Sequence, residues 1–353
     1  MVNIDFYKGK KVLVTGNIGF KGSWLCRTLL LAGADVYGYA LEPDTKPNLY
    51  EILGLNSLVK TEFGDIRDFE KLSDFVKKIK PQIVFHLAAQ PLVRESYANP
   101  RYTYETNVMG TVNILEACRE VESIESIVNV TTDKVYENKE WEWGYRENEN
   151  LCGYDPYSNS KSCSELVTYS YKNSFYNSES SPALSTGRSG NVIGGGDFSA
   201  DRIIPDCVRA TVEEKTIIVR NPYSTRPYQH VLDCLNGYLT LAAEQVIERE
   251  KEGNYNFGPD ESDCVSTGDL ADKFCSRWKG AKWENRYDGG PHEANFLKLD
   301  CSKAKKILGW KPVWNIDTAL NKTVEWYRFW NEKKDLKEIT DRQIKEFLKD
   351  ATR

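Results

Sequence analysis

Short β-branched runs alternate with helical patterns over the first half of the chain. Lys11-Val12-Leu13-Val14-Thr15 reads as a buried strand and residues 23–32 as an apolar helix. Strands are predicted at 35–41 and 59–66, a helix at 69–79, a strand at 83–89, a long helix at 99–121 and a strand at 124–131. This β-α-β alternation predicts an α/β fold, a doubly wound parallel sheet covered by helices on both faces. Right-handed crossovers then bring the strand C-termini to one edge, where such sheets bind ligands.

After Ser180 the pattern loosens. Gly194-Gly195-Gly196 punctuates it, short strands at 217–220 and 255–257 mix with helices at 231–250, 266–278 and 317–330, and residues 340–349 form a charged helix expected at the periphery. The expected organisation is a Rossmann domain over residues 1–185, to which the chain returns around 226–258, and a smaller mixed α/β substrate lobe within 186–353.

Composition narrows the function classes. Of 353 residues, 40% are apolar and 28% charged, the ordinary pattern of a folded domain. A net charge of −5 argues against holding nucleic acid by bulk charge, although a few arginines and helix ends still suffice for a small phosphate ligand. No run approaches the ~18 apolar residues of a membrane span. The start, MVNIDFYKGKK, lacks a leader's apolar segment, so a cytoplasmic protein is expected. Nine scattered cysteines without a CxxC suit a reducing compartment, and three histidines without ligand spacing predict no protein-bound metal.

Directly after the first strand comes Gly16-Asn17-Ile18-Gly19-Phe20-Lys21-Gly22, a GxxGxxG between strand and helix. Glycines allow a tight turn and close approach of a pyrophosphate, and the helix N-terminus offers unpaired N–H groups. The context predicts a dinucleotide site. Glu42, just past the second strand, is the candidate ribose-binding acid and favours NAD over NADP. Asp65, ending the third strand, is placed to accept from an adenine amino group; a solvated turn aspartate reads equally well.

Tyr157 and Lys161 form YxxxK, one helical turn apart, with Asp155 as N-cap and Pro156 as first helical residue. A tyrosine becomes a usable base at neutral pH when a cation sits beside it. Tyr7 and Lys11 match the same pattern, but precede the first strand. The fifth strand runs into Thr131-Thr132-Asp133-Lys134, an unusual polar cluster for the end of an apolar strand. Thr132 is a donor to a substrate hydroxyl, Asp133 a proton carrier, and Lys134 a base or a stabilising charge. His86, within an apolar strand, reads as a satisfied core residue.

The glycine turn, Leu87-Ala88-Ala89-Gln90, Asn107, the Thr-Asp-Lys segment and YxxxK, in this order, resemble the extended short-chain dehydrogenase/reductase superfamily. Within it FKGSWL (20–25), AAQPLVRESY (88–97), TTDKVYENKEW (131–141), GYDPYSNSK (153–161), SGNVIGGGDF (189–198), RPYQHVL (226–232) and LGWKP (308–312) resemble the CDP-glucose 4,6-dehydratases. The similarity spans roughly residues 6–330. It implies NAD contacts from Gly16, Gly19, Phe20 and Gly22, from Asp65 and Ile66, from Leu87, Ala88 and Ala89, and from Asn107, Tyr157 and Lys161. It also implies that Asn191 and Arg226 meet the substrate's diphosphate, with Arg202, Gln90 and Arg94 as further substrate residues. His292, in a Gly-Gly-Pro-His loop, is placed to reach the sugar or to form a plain turn.

The sequence departs from this family at Asn17-Ile18, where His-Thr is commoner, and at Phe198 and Tyr228, which replace tryptophans. Relatives acting on dTDP-glucose carry Asp-Glu where this chain has Asp133-Lys134. The implied activity is NAD-dependent dehydration of a nucleotide sugar, CDP-glucose favoured, to a 4-keto-6-deoxy sugar. A sugar-nucleotide 4-epimerase, a dehydratase of another hexose nucleotide and a non-catalytic NAD-binding protein are the alternatives. Helices 99–121 and 156–176 are expected to pair in a homodimer or higher homo-oligomer.

Overall fold

A computed structural model describes residues 3–286 and 296–352. The β-α alternation builds strand β1 (Lys11–Thr15), helix α1 (Phe20–Leu31), β2 (Asp35–Ala40), a short α2 (Leu49–Ile52), β3 (Lys60–Phe63), α3 (Phe69–Ile79) and β4 (Ile83–His86). A helical rod follows as α4 (Val93–Ala98), α5 (Pro100–Tyr104), a π turn (Glu105–Met109) and α6 (Gly110–Arg119). Then come β5 (Ser126–Thr132), α7 (Pro156–Phe175) and β6 (Ala183–Ser189).

The second half contains β7 (Val192–Ile193), α8 (Ile203–Val212), β8 (Ile217–Val219), β9 (Thr225–Arg226), β10 (Gln229–His230), α9 (Val231–Ile247) and β11 (Asn254–Phe257). It ends with β12 (Val265–Ser266), α10 (Thr267–Arg277), β13 (Trp283–Asn285), α11 (Ile316–Asn331) and α12 (Leu336–Ala351).

Seven strands form one sheet in the order β11-β6-β5-β4-β1-β2-β3, with every pairing parallel. The order reverses between β1 and β4, which sets a ligand crevice at their C-terminal ends. Side chains alternate across the sheet: Val12 and Val14 of β1 join Trp24 and Leu25 of α1 and Leu235 and Leu239 of α9 on one face. Leu13 faces the other way, toward Leu72 and Val76 of α3 and Ile114 and Leu115 of α6. The remaining strands form three pairs, β7 with β10, β8 with β13 and β9 with β12.

Four expectations change. The third strand stops at Phe63 rather than 66, just before Gly64, which packs against the Tyr39 ring where a Cβ would lie 2.6 Å from Cζ. The fourth stops at His86 rather than 89. The helix expected at 99–121 carries a π turn at Glu105–Met109, a device that recurs at functional positions. The C-terminal helix is not peripheral: Ile339, Ile344 and Phe347 are buried, Trp326 Nε1 donates to Thr340 at 2.9 Å, and Arg27 Nε donates to Asp341 at 2.5 Å.

Strand β6 was not legible as part of the main sheet. Its sequence, ALSTGRS, is mostly polar, yet all seven residues are buried. It runs beyond residue 185, so the sheet draws on both sides of that position. Helix α9 and β11 return the chain to the same sheet, α9 packing over β5 and β6. Among the described residues no helix is long and apolar enough to cross a membrane.

Candidate active site

The turn after β1 is shaped by the protein at two of its glycines. Gly16 has φ +71°, and a Cβ there would lie 2.8 Å from the backbone N of Ala88. A Cβ on Gly22 would run into the Gly16 carbonyl and sit 2.7 Å from Cα of Asn17, so α1 could not approach the turn. Gly19, the N-cap of α1, is different: a Cβ there would meet nothing nearer than Gly16 O at 3.5 Å. The protein leaves space over an N-terminus rich in unpaired N–H groups, which fits a pyrophosphate.

Around this turn the predicted cofactor residues fall along the sheet edge. Phe20 opens α1, and Leu87, Ala88 and Ala89 follow β4 and are half-buried. The Ala88 N–H donates to Thr15 Oγ1 at 3.2 Å. Glu42 is exposed beyond β2, and Ile66 is buried beside Gly110. Asp65 is engaged by Arg67, whose Nη2 lies 2.7 Å from Oδ2 and whose N–H donates to Oδ1 at 2.9 Å; those hydrogen bonds hold its carboxyl below the usual range. Asn107, in the π turn, spends both amide hydrogens inside the protein, on Gln90 O at 3.0 Å and Ser160 Oγ at 2.9 Å. It therefore bridges the loop after β4 to α7.

Helix α7 begins as its sequence implies. Asp155 caps it by accepting from Ser158 N at 3.0 Å, and Pro156 takes the first position. Lys161 is buried, with Nζ donating to Val130 O at 3.2 Å; burial, aided by the Lys21 charge, lowers its pKa to about 8. Burial pushes the Tyr157 phenol up to about 12, with the neighbouring Thr132 hydroxyl and the Arg202 charge acting the other way. Thr132 Oγ1 donates to Asp133 Oδ1 at 2.9 Å. The structure thus brings the Tyr157 phenol, the Thr132 hydroxyl and the Asp133 carboxyl within electrostatic reach of one another.

Asp133 is 2% exposed, and its Oδ2 has no hydrogen-bond partner among the described residues. Burial pushes its carboxyl upward, against the charges of Lys134, Arg226 and Lys21. Such a carboxyl retains a proton that a more exposed one would lose. A Cβ on Gly190 would lie 3.0 Å from Oδ2 and 2.5 Å from Pro227, so the segments after β6 and β9 close directly over this group. Lys134 is half-buried, with its backbone N–H donating to Thr132 Oγ1 at 3.4 Å.

The predicted substrate residues separate into two groups. Arg226 is buried within electrostatic reach of Asp133, and Arg202, at the start of α8, within reach of Tyr157. Asn191 lies between β6 and β7, its carbonyl accepting from Gln229 N at 3.0 Å. Arg94 is farther along, 3.9 Å from Asp201. Gln90 turns inward, donating to Thr103 at 2.9 Å and accepting from Leu92 N at 2.6 Å, so its side chain is committed within the protein. His292 lies outside the described residues.

Other features resolve as the pattern suggested or add to it. His86 is a neutral core residue, bonded to Thr15 Oγ1 at 2.8 Å, with burial lowering its pKa to about 3. The second YxxxK match comes apart: Tyr7 donates to Leu239 O at 2.6 Å while Lys11 Nζ donates to Ile79 O at 3.1 Å. Sequence reasoning missed Lys21, whose Nζ donates to Ser189 Oγ at 2.9 Å and whose charge acts on Asp133 and Lys161. A cation inside an otherwise glycine-and-apolar turn was the available signal. Among the described residues no group of three or more His, Cys, Asp or Glu is placed to hold a metal.

A glycine turn at the switch point, a polar end to β5 and a YxxxK helix facing it define a short-chain dehydrogenase/reductase site. A family model described as GDP-mannose 4,6 dehydratase matches residues 13–323, and the chain belongs to that family. A curated CDP-glucose 4,6-dehydratase from Salmonella typhimurium is 48% identical over 360 residues, covering 100% of both chains. Among solved structures, Pal from Bacillus thuringiensis has a TM-score of 0.79 at 24% identity, covering 91% of this chain and 99% of that one. A dTDP-glucose 4,6-dehydratase from Bacillus anthracis, in complex with NAD, has a TM-score of 0.75 at 21% identity, covering 92% and 99%. These two show the shared fold.

Proposed function

We propose that the protein is an NAD-dependent hydro-lyase that removes water from a nucleoside-diphosphate hexose, and that its substrate is CDP-glucose. The observation that carries the reaction class is Asp133: a buried carboxyl with a free oxygen, one hydroxyl away from the Tyr157 phenol. An epimerase needs the tyrosine and lysine but has no leaving hydroxyl to protonate. The choice of CDP rests on the full-length likeness to the Salmonella enzyme.

Gly16, Gly19, Gly22 and the N-terminus of α1 would hold the dinucleotide, which, when bound, supplies the acceptor for the C4 hydride and its return to C6. Tyr157 takes the proton of the sugar 4-OH, with Thr132 turning its hydrogen toward the phenolate. Lys161, one turn away, is the cation that makes this ionisation affordable. Once C4 is a ketone, the C5 proton becomes removable because the carbanion delocalises into an enolate. Asp133 delivers its proton to the departing C6 hydroxyl. Lys134 takes the C5 proton as the base, and the ammonium so formed steadies the enolate. Arg226 and Arg202 clamp the diphosphate, where a planar fork matches two oxygens.

The test is incubation with CDP-, dTDP-, UDP- and GDP-hexoses followed by mass analysis. Loss of one water from CDP-glucose, without net reduction of the coenzyme, is expected. Turnover confined to another nucleotide corrects the substrate, and epimerisation without mass change replaces the reaction.

The partner and compartment readings are proposals of the same kind. Met109, Leu166 and Tyr169 expose apolar surface along the π turn and α7, at 50%, 54% and 66%, and we take this face as the homodimer seam. All nine cysteines are free, which fits the cytoplasm.

A further inference from the structure

Helix α7 carries a third polar residue on its catalytic stripe. Tyr157, Lys161 and Glu165 follow at four-residue intervals, so they share one face. The first two reach the sheet edge; Glu165 is 1% exposed, deep between β5 and β6. Its carboxylate accepts from Arg188 Nε at 2.9 Å, Arg188 Nη2 at 2.8 Å and Thr186 Oγ1 at 2.8 Å, and also from Thr131 Oγ1. Arg188 uses its remaining nitrogen on the Tyr136 hydroxyl at 2.8 Å, and Tyr136 passes its own hydrogen to Asn256 Oδ1 at 2.7 Å.

Thr131 and Tyr136 bracket Thr132, Asp133 and Lys134 in the chain. A buried ion pair is by itself a poor source of stability, since desolvation offsets most of the attraction. This one directs its hydrogen bonds to the two residues that flank the reacting triple and to the helix that carries the tyrosine and lysine. We propose that Glu165 and Arg188 are positioning residues: together they fix the segment bearing Thr132, Asp133 and Lys134 against the helix bearing Tyr157 and Lys161. The inference rests on the dehydration reading for which groups react. The clamp also extends along β11, because Asn256 donates to Tyr145 O at 2.8 Å and to Asp300 O at 3.1 Å. Glu165 has a second effect, its charge favouring the protonated form of Lys161 against burial and against Lys21 on α1, with neutral His86 on β4 close by.

The test uses the full chain and four variants: Glu165→Gln, Arg188→Met, their double mutant and Tyr136→Phe. Each single charge deletion leaves a buried unpaired group and lowers the melting temperature; the double mutant removes both charges and regains most of it. The double mutant is nevertheless expected to lose about 100-fold in kcat with KM within about threefold, as a misplacement on the order of 1 Å does. Tyr136→Phe keeps the fold and loses severalfold in kcat. In Glu165→Gln the alkaline limb of kcat/KM moves to lower pH. A folded double mutant with wild-type kcat overturns the proposal, whatever its melting temperature.

Amide hydrogen exchange gives a readout independent of turnover. Segments 131–136 and 157–165 are expected to exchange faster together in every folded variant, and unchanged exchange in both overturns the clamp. A wild-type protein inert toward every nucleotide hexose refutes the dehydration reading instead, and the exchange data still decide the clamp.

Discussion

Asp133→Asn isolates one proton in the proposed reaction. The side chain is 2% exposed, its Oδ1 accepts from Thr132 at 2.9 Å, and its Oδ2 has no partner among the described residues. Asparagine keeps the shape and the Thr132 hydrogen bond but has no acidic proton to give the departing C6 hydroxyl. Because burial already favours the neutral carboxyl there, a neutral amide suits the site, and stability should fall by no more than about 1 kcal/mol. The rate of water loss should fall by about 100- to 10,000-fold, the usual range for general acid catalysis, or about 3 to 5 kcal/mol of activation free energy. Oxidation at C4 and abstraction at C5 depend on Tyr157, Lys161 and Lys134, so they should persist. In D2O the recovered CDP-glucose should therefore gain deuterium at C5 while product scarcely forms, read by mass spectrometry and proton NMR. Water loss within about tenfold of wild type would refute the general-acid role. Failure of C5 exchange in step with water loss would place Asp133 earlier in the sequence.

Four further outcomes follow from the geometry. Lys161 has a pKa near 8, lowered by burial, so its charge is present below that value and lost as pH rises through it; kcat/KM should fall on an alkaline limb near pH 8, and Lys161→Arg should move the limb upward. Gly19→Ala should fold normally but bind NAD weakly by calorimetry, whereas Gly22→Ala, with its Cβ 2.7 Å from Asn17 Cα, should lose about 1–3 kcal/mol of stability; equal melting of the two contradicts this. Arg226→Ala should raise KM for CDP-glucose by roughly tenfold or more with a smaller change in kcat, and an unchanged KM refutes the clamp on the diphosphate. Asp233, buried with Oδ1 accepting from Val313 N at 2.6 Å, has its carboxyl raised to about 7 by burial. The folded state holds that proton more tightly, so its contribution is full below about pH 4 and is lost as pH rises through about 7. Asp233→Asn should flatten the denaturation profile over that window and stabilise the protein at about pH 8 by on the order of a few kcal/mol; an unaltered profile contradicts the shift.

The segments proposed as catalytic were legible because they are local. The strand before Gly16, the cap at Asp155 and the four-residue step from Tyr157 to Lys161 are each set by neighbours within a turn or two of chain. The decoy at Tyr7 and Lys11 was separable for the same reason, since it runs directly into the first strand. The bonds of Gln90 to Thr103 and Leu92 were not legible, because they depend on how the chain folds back after β4. Lys21 was passed over because its target, Ser189, is 168 residues away.

By itself, then, the order of apolar and polar residues determined a parallel sheet with a dinucleotide turn at its first strand and a tyrosine-lysine helix at its edge. Tertiary structure alone decided that ALSTGRS is an interior strand, that the last helix is packed, and that Asp133 has an unsatisfied oxygen beside Gly190. The physical reason is that hydrophobic periodicity records which face of an element is buried. A polar side chain becomes equally burial-competent once Glu165, Arg188 or Gln245 meets it across the fold, as Gln245 Oε1 meets Ser185 Oγ at 2.5 Å, and that pairing leaves no mark on its own stretch of sequence.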